Sequence, residues 1–319
     1  MTGLISIFSI ILPMQMIKTL ERHQKISAMA GLVLAVSFWG INSVVAKGVI
    51  EDIPPMALSF YRWVAALVFL FPFAWKRIRA EKRLIRENLW VLFWLALPSV
   101  TIYNSLLYLG ALYTTATNIS LVVAAMPALT LGVAWLVNND RPKLIQSAGI
   151  ALSMSGVVAI VAKGSMATVI SMDLNPGDIL VLISIFSWAV YSVLLRRTSP
   201  AVSPISFLFM TIVFGLAAML PFYLWELYLV GGFAINRSVV LVFIFLGICP
   251  SILSYILWNQ GVKKLGAATA SVFVYLVPLV TSAVAYVYLG ERLLSYHFTG
   301  GAMILAGLVF SSRESGTAH

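Results

Sequence analysis

The stretch PPMALSFYRWVAAL (54–67) places Arg62 seven residues past a proline pair and inside an apolar run. A guanidinium is charged at any physiological pH, and its planar fork matches a carboxylate. A charge at that depth, about 10 Å from the start of its helix, costs several kcal/mol unless it is paired or hydrated. Arg62 therefore either holds an anionic group of a ligand, snorkels to the nearer interface, or latches onto Glu51, Asp52 or Glu291.

Other polar and aromatic side chains recur at helical spacing. Trp39 and Asn42 are three apart and share a face, as do Trp188 and Tyr191. Tyr103, Asn104 and Tyr108 form one polar stripe. Ser251, Tyr255 and Asn259, with Trp258 beside them, form another at i, i+4 and i+8. Stripes of this kind suit a hydrated pathway that recognises polar groups and stacks on flat ones; the alternative is hydrogen bonding between helices. Asn118 and Tyr275 lie near Pro127 and Pro278, which remove a backbone donor and bend their helices, either as gating hinges or as static kinks.

The chemistries that are missing narrow the function. All eleven Asp and Glu fall in loops, at span ends or in the tails, so the mid-membrane carboxylate of a proton relay is not expected. Asp140, Glu291 and His297 near helix ends are the remaining candidates for proton coupling. With three His and one Cys, Cys249, there is neither a metal set nor a nucleophile with an acid and a base. No metal and no cofactor is expected, and a membrane-embedded enzyme is the weaker reading.

The elements that carry these residues must sit in lipid. Hydrophobic residues make up 61% of the chain and charged ones 10%, too few to cover a water-soluble surface. The sequence predicts an all-α integral membrane protein with ten spans, near 26–46, 56–75, 89–109, 116–137, 144–162, 178–195, 205–224, 239–259, 267–289 and 296–312. The net charge of +10 lies in short connections rather than on one face, which speaks against a nucleic-acid partner. Sixteen Lys and Arg fall on one set of alternate connections and four on the other, which predicts both termini on the cytoplasmic side. Arg62 is the one basic residue that no connection claims. Residues 1–25 form an apolar and basic extension, and 313–319 a short tail.

The chain also repeats itself. At a shift of 149 residues Trp39 meets Trp188, Pro55 meets Pro204 and Phe60 meets Phe209. At 151, Gly110 meets Gly261, Pro127 meets Pro278, Gly149 meets Gly300 and Gly156 meets Gly307. Each half, 26–163 and 177–312, then holds five spans. An odd number forces the second half to enter the membrane from the other side, so the halves are inverted repeats around a shared central site. The mate of Arg62 is Thr211, so whatever Arg62 does is done once. Where the second half has Gly290-Glu291, the first has Asn139-Asp140, without the Gly that favours a tight helix exit.

The stretches FWGINSVVAKG, PPMALSFYRWVAAL, TTATNISLVVAAMPAL, GAATASVFVYLVPL and YLGERL, followed by GGAMILAGLVF, resemble the drug/metabolite transporter superfamily, in particular its EamA-type ten-helix branch. The resemblance implies a secondary transporter in a bacterial cytoplasmic membrane. It moves small metabolites outward by alternating access, amino acids or related molecules foremost, with an uncoupled or exchange mode favoured. A proton-coupled exporter of drugs or aromatic cations is the alternative. The expected partners are a small-molecule substrate and the bilayer, with a homodimer left open.

Overall fold

In hydrocarbon a chain must satisfy its backbone N–H and C=O groups internally, and an isolated segment can do so only as a helix. In the computed structural model the regular elements are accordingly helices. It describes residues 14–312 apart from 51, 115–118, 120–121, 140–142, 163–164, 166, 168–169, 171–175, 199 and 290–294. The first half contains α1 (Met14–Val49), α2 (Pro55–Ala80), α3 (Leu89–Ala111), α4 (Met126–Asn138) and α5 (Leu144–Val161). The second contains α6 (Pro176–Thr198), α7 (Pro204–Val230), α8 (Arg237–Leu265), α9 (267–289) and α10 (Ser295–Ser312). A short helix, Lys82–Glu87, links α2 to α3.

The helices α1, α2, α3, α6, α7 and α8 are long and apolar enough to cross a membrane, whereas the apolar segments of α4, α5, α9 and α10 are shorter. For α4 and α9 the reason is local. α4 begins at Met126 with Pro127 in its first turn, just after a turn at 124–125. α9 is Ala267–Val272, a 3-10 turn over Phe273–Tyr275 and then Leu276–Leu289, with Pro278 soon after the break. Each proline thus spends its missing N–H where the ladder is already interrupted. α1 departs from expectation by starting at Met14, so much of the extension expected before residue 26 continues the first helix. Asn139 corrects another point: it ends α4 in the left-handed conformation (φ 56°), with its N–H on Trp135 O at 2.9 Å, and so serves as the cap expected of a glycine.

Packing follows the sequence repeat. α1 lies against the second half of α8 and against α9, as α6 lies against the second half of α3 and α4; α2 packs on α7, and α5 on α10. The close approaches repeat as well. Gly261 is covered by Leu32 and Gly110 by Val181, two pairs that are mates at shifts of 151 and 149. Between α5 and α10 a Cβ on Gly156 would stand 2.5 Å from Gly300 O, and one on Gly149 2.7 Å from Gly307 O. Only side chains of no size allow these backbones to touch.

The α2–α7 pair is fastened at both ends by carboxylates. α2 starts on Pro54-Pro55 without a side-chain cap of its own, and Glu226 near the end of α7 supplies one: Met56 N donates to Oε1 (2.9 Å) and Ala57 N to Oε2 (2.8 Å). At the opposite end Glu81, just past α2, accepts from Ser203 N (3.1 Å) and Ser203 Oγ (3.0 Å) at the start of α7. Burial pushes the Glu81 carboxyl up, but hydrogen bonds from Ser206 and Ser203 and the Arg77 charge outweigh it. The net effect holds Glu81 below the usual carboxylate value.

Candidate substrate site between the two halves

α3 and α8 are each wound wider for one turn, as π-helix over Leu97–Ile102 and Gly247–Leu253. Each π turn holds a Pro-Ser pair, Pro98-Ser99 and Pro250-Ser251, and each is followed by a tyrosine, Tyr103 and Tyr255, at a shift of 152 residues. A proline cannot donate to the ladder, and a π turn changes which carbonyl each N–H reaches, so carbonyl oxygens become available to side chains. Ser251 Oγ donates to Leu246 O (2.7 Å) and Asn104 Nδ2 to Ser99 O (3.1 Å), each five residues back. The carbonyls of Pro98, Ser99 and Pro250 accept from side chains of the other half.

Arg62 fills the space beside the α8 turn. Its side chain is 2% exposed, which rules out snorkelling. Nε donates to Ser251 Oγ (2.6 Å), Nη1 to Asn104 Oδ1 (3.1 Å) and Tyr108 Oη (3.0 Å), and Nη2 to Pro250 O (3.0 Å). These bonds engage four of the five guanidinium N–H groups. Every acceptor is neutral, so the expected latch to a carboxylate is replaced by a latch to α3 and α8. Asp52 is exposed at the start of the α2 loop and takes no part, while Glu51 and Glu291 lie outside the described residues. Tyr108 in turn donates to Asn42 Oδ1 at 3.4 Å.

An aromatic group adjoins this polar node. Tyr255, whose hydroxyl donates to Ser99 O (2.8 Å), is met edge-on by Trp63 and Trp188 at 4.9 and 5.0 Å between centroids. Trp39 packs on Trp188 at 5.3 Å and Trp258 at 5.1 Å, and Tyr103 on Trp188 at 4.8 Å. Tyr191 donates to Asn259 Oδ1 (2.7 Å) and Trp258 Nε1 to Ser192 Oγ (3.2 Å). The arrangement is a buried, closely packed junction of both halves, rich in donors. An apolar groove of about 300 Å³ lined by Tyr61, Phe69, Phe233, Val239 and Phe243 lies between α2, the loop before α8 and α8, apart from the node.

Of the residues singled out by sequence, Trp39, Asn42, Arg62, Tyr103, Asn104, Tyr108, Trp188, Tyr191, Tyr255, Trp258 and Asn259 come together here. Tyr275 does not: its hydroxyl donates to Ile150 O (3.3 Å) in the seam of α5, α9 and α10. Asn118 and Asp140 lie outside the described residues. Sequence reasoning missed Ser99, Ser187, Ser192 and Trp63. The duplicated Pro-Ser-x-x-x-Tyr pattern at 98–103 and 250–255 was the available signal for Ser99.

With ten helices in two matched halves and a polar node where they meet, the architecture is that of a multi-pass membrane carrier. The EamA-like transporter family model matches residues 26–162 and 175–313, and the chain belongs to that family. It is a transporter family and not an enzyme family. An uncharacterized transporter of Archaeoglobus fulgidus is 30% identical over 89% of this chain and 96% of its own. A probable amino-acid metabolite efflux pump of Salmonella typhimurium is 27% identical over 90% of this chain and 96% of its own. A solved crystal structure shares the fold with a TM-score of 0.72 at 17% identity, over 91% of this chain and 97% of that one.

Proposed function

We propose that the protein exports amino acids or closely related carboxylate-bearing metabolites across the cytoplasmic membrane by alternating access, with both termini on the cytoplasmic side. The observation that carries this reading is Arg62: a buried cation at the junction of the halves, bonded to neutral acceptors only. A carboxylate exchanged for one of these acceptors would gain a bidentate, charge-assisted pair in a buried site, where such pairs are strong. Trp39, Trp188, Trp258 and Tyr255 offer flat apolar surface for the rest of the molecule. The Salmonella relative's description points to the same class of cargo.

The node holds no carboxylate among the described residues, which supports uniport or exchange over proton coupling. The aromatic group favours a second reading, a proton-coupled exporter of aromatic cations, because indole faces attract cations. Counterflow in proteoliposomes separates the two. Entry of labelled amino acids against unlabelled ones without any ion gradient supports the first; silence until a proton gradient is imposed, with aromatic amines as cargo, supports the second. In the first case Arg62→Gln raises the half-saturation concentration for acids about tenfold or more, while their uncharged amides are little affected. Equal loss for acids and amides would leave Arg62 a purely structural latch.

A further inference from the structure

The two halves treat one matched pair of tryptophans differently. Trp39 Nε1 donates to Pro250 O in the α8 π turn at 3.1 Å. Its mate Trp188 faces the corresponding situation in the other half, where the equivalent carbonyl is Pro98 O in the α3 π turn. That carbonyl lies 3.1 Å from Ser187 Oγ, whose single proton it shares with the nearer Ser184 O at 2.7 Å, and Trp188 Nε1, in a residue 1% exposed, has no hydrogen-bond partner. A buried donor without a partner is costly, and such groups ordinarily mark strain or function. The tyrosines of the two turns differ in the same sense. Both rings pack on Trp188, and Tyr255 in addition donates across the repeat boundary to Ser99 O.

We propose that Trp39 and Trp188 are the two halves of a conformational switch: each donates its indole N–H to the proline carbonyl of the other half's π turn in one end state of the carrier, and only one does so at a time. This rests on the alternating-access reading. Inverted repeats reach the second end state by exchanging their conformations, so a bond present in one half and absent in the other becomes a bond in the other half after the exchange. The state described here has Trp39 engaged and Trp188 idle. In the opposite state Trp188 takes Pro98 O, which has a second lone pair beside the one Ser187 uses, and Trp39 lets go of Pro250 O. The π turns supply the paired acceptors, and the halves cannot both be engaged because each engagement belongs to a different packing of α1 on α8 and of α6 on α3.

The switch assigns opposite signs to matched substitutions. Trp188→Phe removes the idle donor from this state and the bond from the other, and so favours this state. Trp39→Phe removes the bond made here and favours the other. Each single change shifts the ratio of the two states about 5- to 30-fold, and the double variant returns near the wild-type ratio. Ser187→Ala is a gentler companion: it deprives Pro98 O of the hydroxyl it shares with Ser184 O, keeps every ring in place, and moves the ratio in the same direction as Trp39→Phe. Hydrogen–deuterium exchange of the full-length protein in lipid nanodiscs reads the ratio, as protection gained at the connections on one membrane face and lost on the other.

The expected result is opposite changes for Trp39→Phe and Trp188→Phe, reversed between the two faces, with Ser187→Ala following the former. Changes of the same sign in all three variants, or none in Ser187→Ala while it remains folded, would overturn the switch. The readout requires no substrate, so failure of the carrier reading would appear separately, as absence of counterflow by the wild-type protein.

Discussion

Arg62 and Thr211 occupy matched positions on α2 and α7, yet one ties four neutral acceptors across two helices while the other only folds back on its own. The Thr211 hydroxyl donates to Phe207 O and Leu208 O within α7, at 3.1 and 2.9 Å. Around them the halves agree: both carry a π turn with a Pro-Ser pair, both break their fourth helix near a proline, and both place glycine where helices touch. The difference teaches that backbone geometry is what the repeat duplicates, because both halves must bend alike. On the proposed reading, the group that recognises the ligand is needed only once.

The comparison can be broken where it is tightest. Gly156→Leu forces a branched side chain against the Gly300 backbone, and loss of the folded protein is expected in size-exclusion chromatography of detergent extracts. Gly132→Ala, with open space around it, is expected to leave the yield unchanged. Arg62→Ala leaves Asn104, Tyr108, Ser251 and the Pro250 carbonyl short of a donor, and about 3 kcal/mol or more of stability should vanish together with transport of acids. Thr211→Val should cost less than about 1 kcal/mol and spare transport, since its bonds are local. Thermal unfolding and counterflow check both.

Smaller effects belong to the ends of the α2–α7 pair. Glu226→Ala removes a two-pronged cap and should lower stability by about 1–2 kcal/mol, seen as a lower unfolding midpoint. Glu81 is subtler. Its folded-state value lies below the ordinary carboxylate value, so its contribution is fully present above that ordinary value and is lost as pH falls through the depressed one. Acid unfolding of Glu81→Gln should therefore show a shallower pH dependence than wild type over that range, and the two should differ least at the acid end.

Much of this was legible in the chain. Length of apolar runs gave the spans, and matched Trp, Pro and Gly gave the two halves, because those residues act through shape and cannot be exchanged freely. The partners of Arg62 were not legible. Sequence spacing places a charge at a depth but not its rotamer, and the partners considered were acids, two of them close by at Glu51 and Asp52 and one at Glu291, whereas the acceptors are neutral groups of α3 and α8. The π turns escaped for a related reason: one extra residue in a turn leaves the apolar pattern intact, and because both halves carry such a turn it does not show as a change of register between them. Asn139 was read as a lost glycine, although asparagine tolerates the left-handed conformation it adopts.

One consequence of the single buried arginine concerns voltage. Arg62 is one fixed positive charge at the node that no described carboxylate offsets; on the proposed reading, a cargo of net charge −1 bound there makes the loaded node neutral, whereas a zwitterionic amino acid leaves its net charge unchanged. Moving an elementary charge through the full membrane field changes the free energy by about 2.3 kcal/mol per 100 mV. With the anionic cargo the empty return step is then the one that feels the membrane potential, to the extent that the node shifts along the field. For a net anionic cargo, net efflux should vary with potential while one-for-one exchange does not; for a zwitterionic amino acid the two should respond alike.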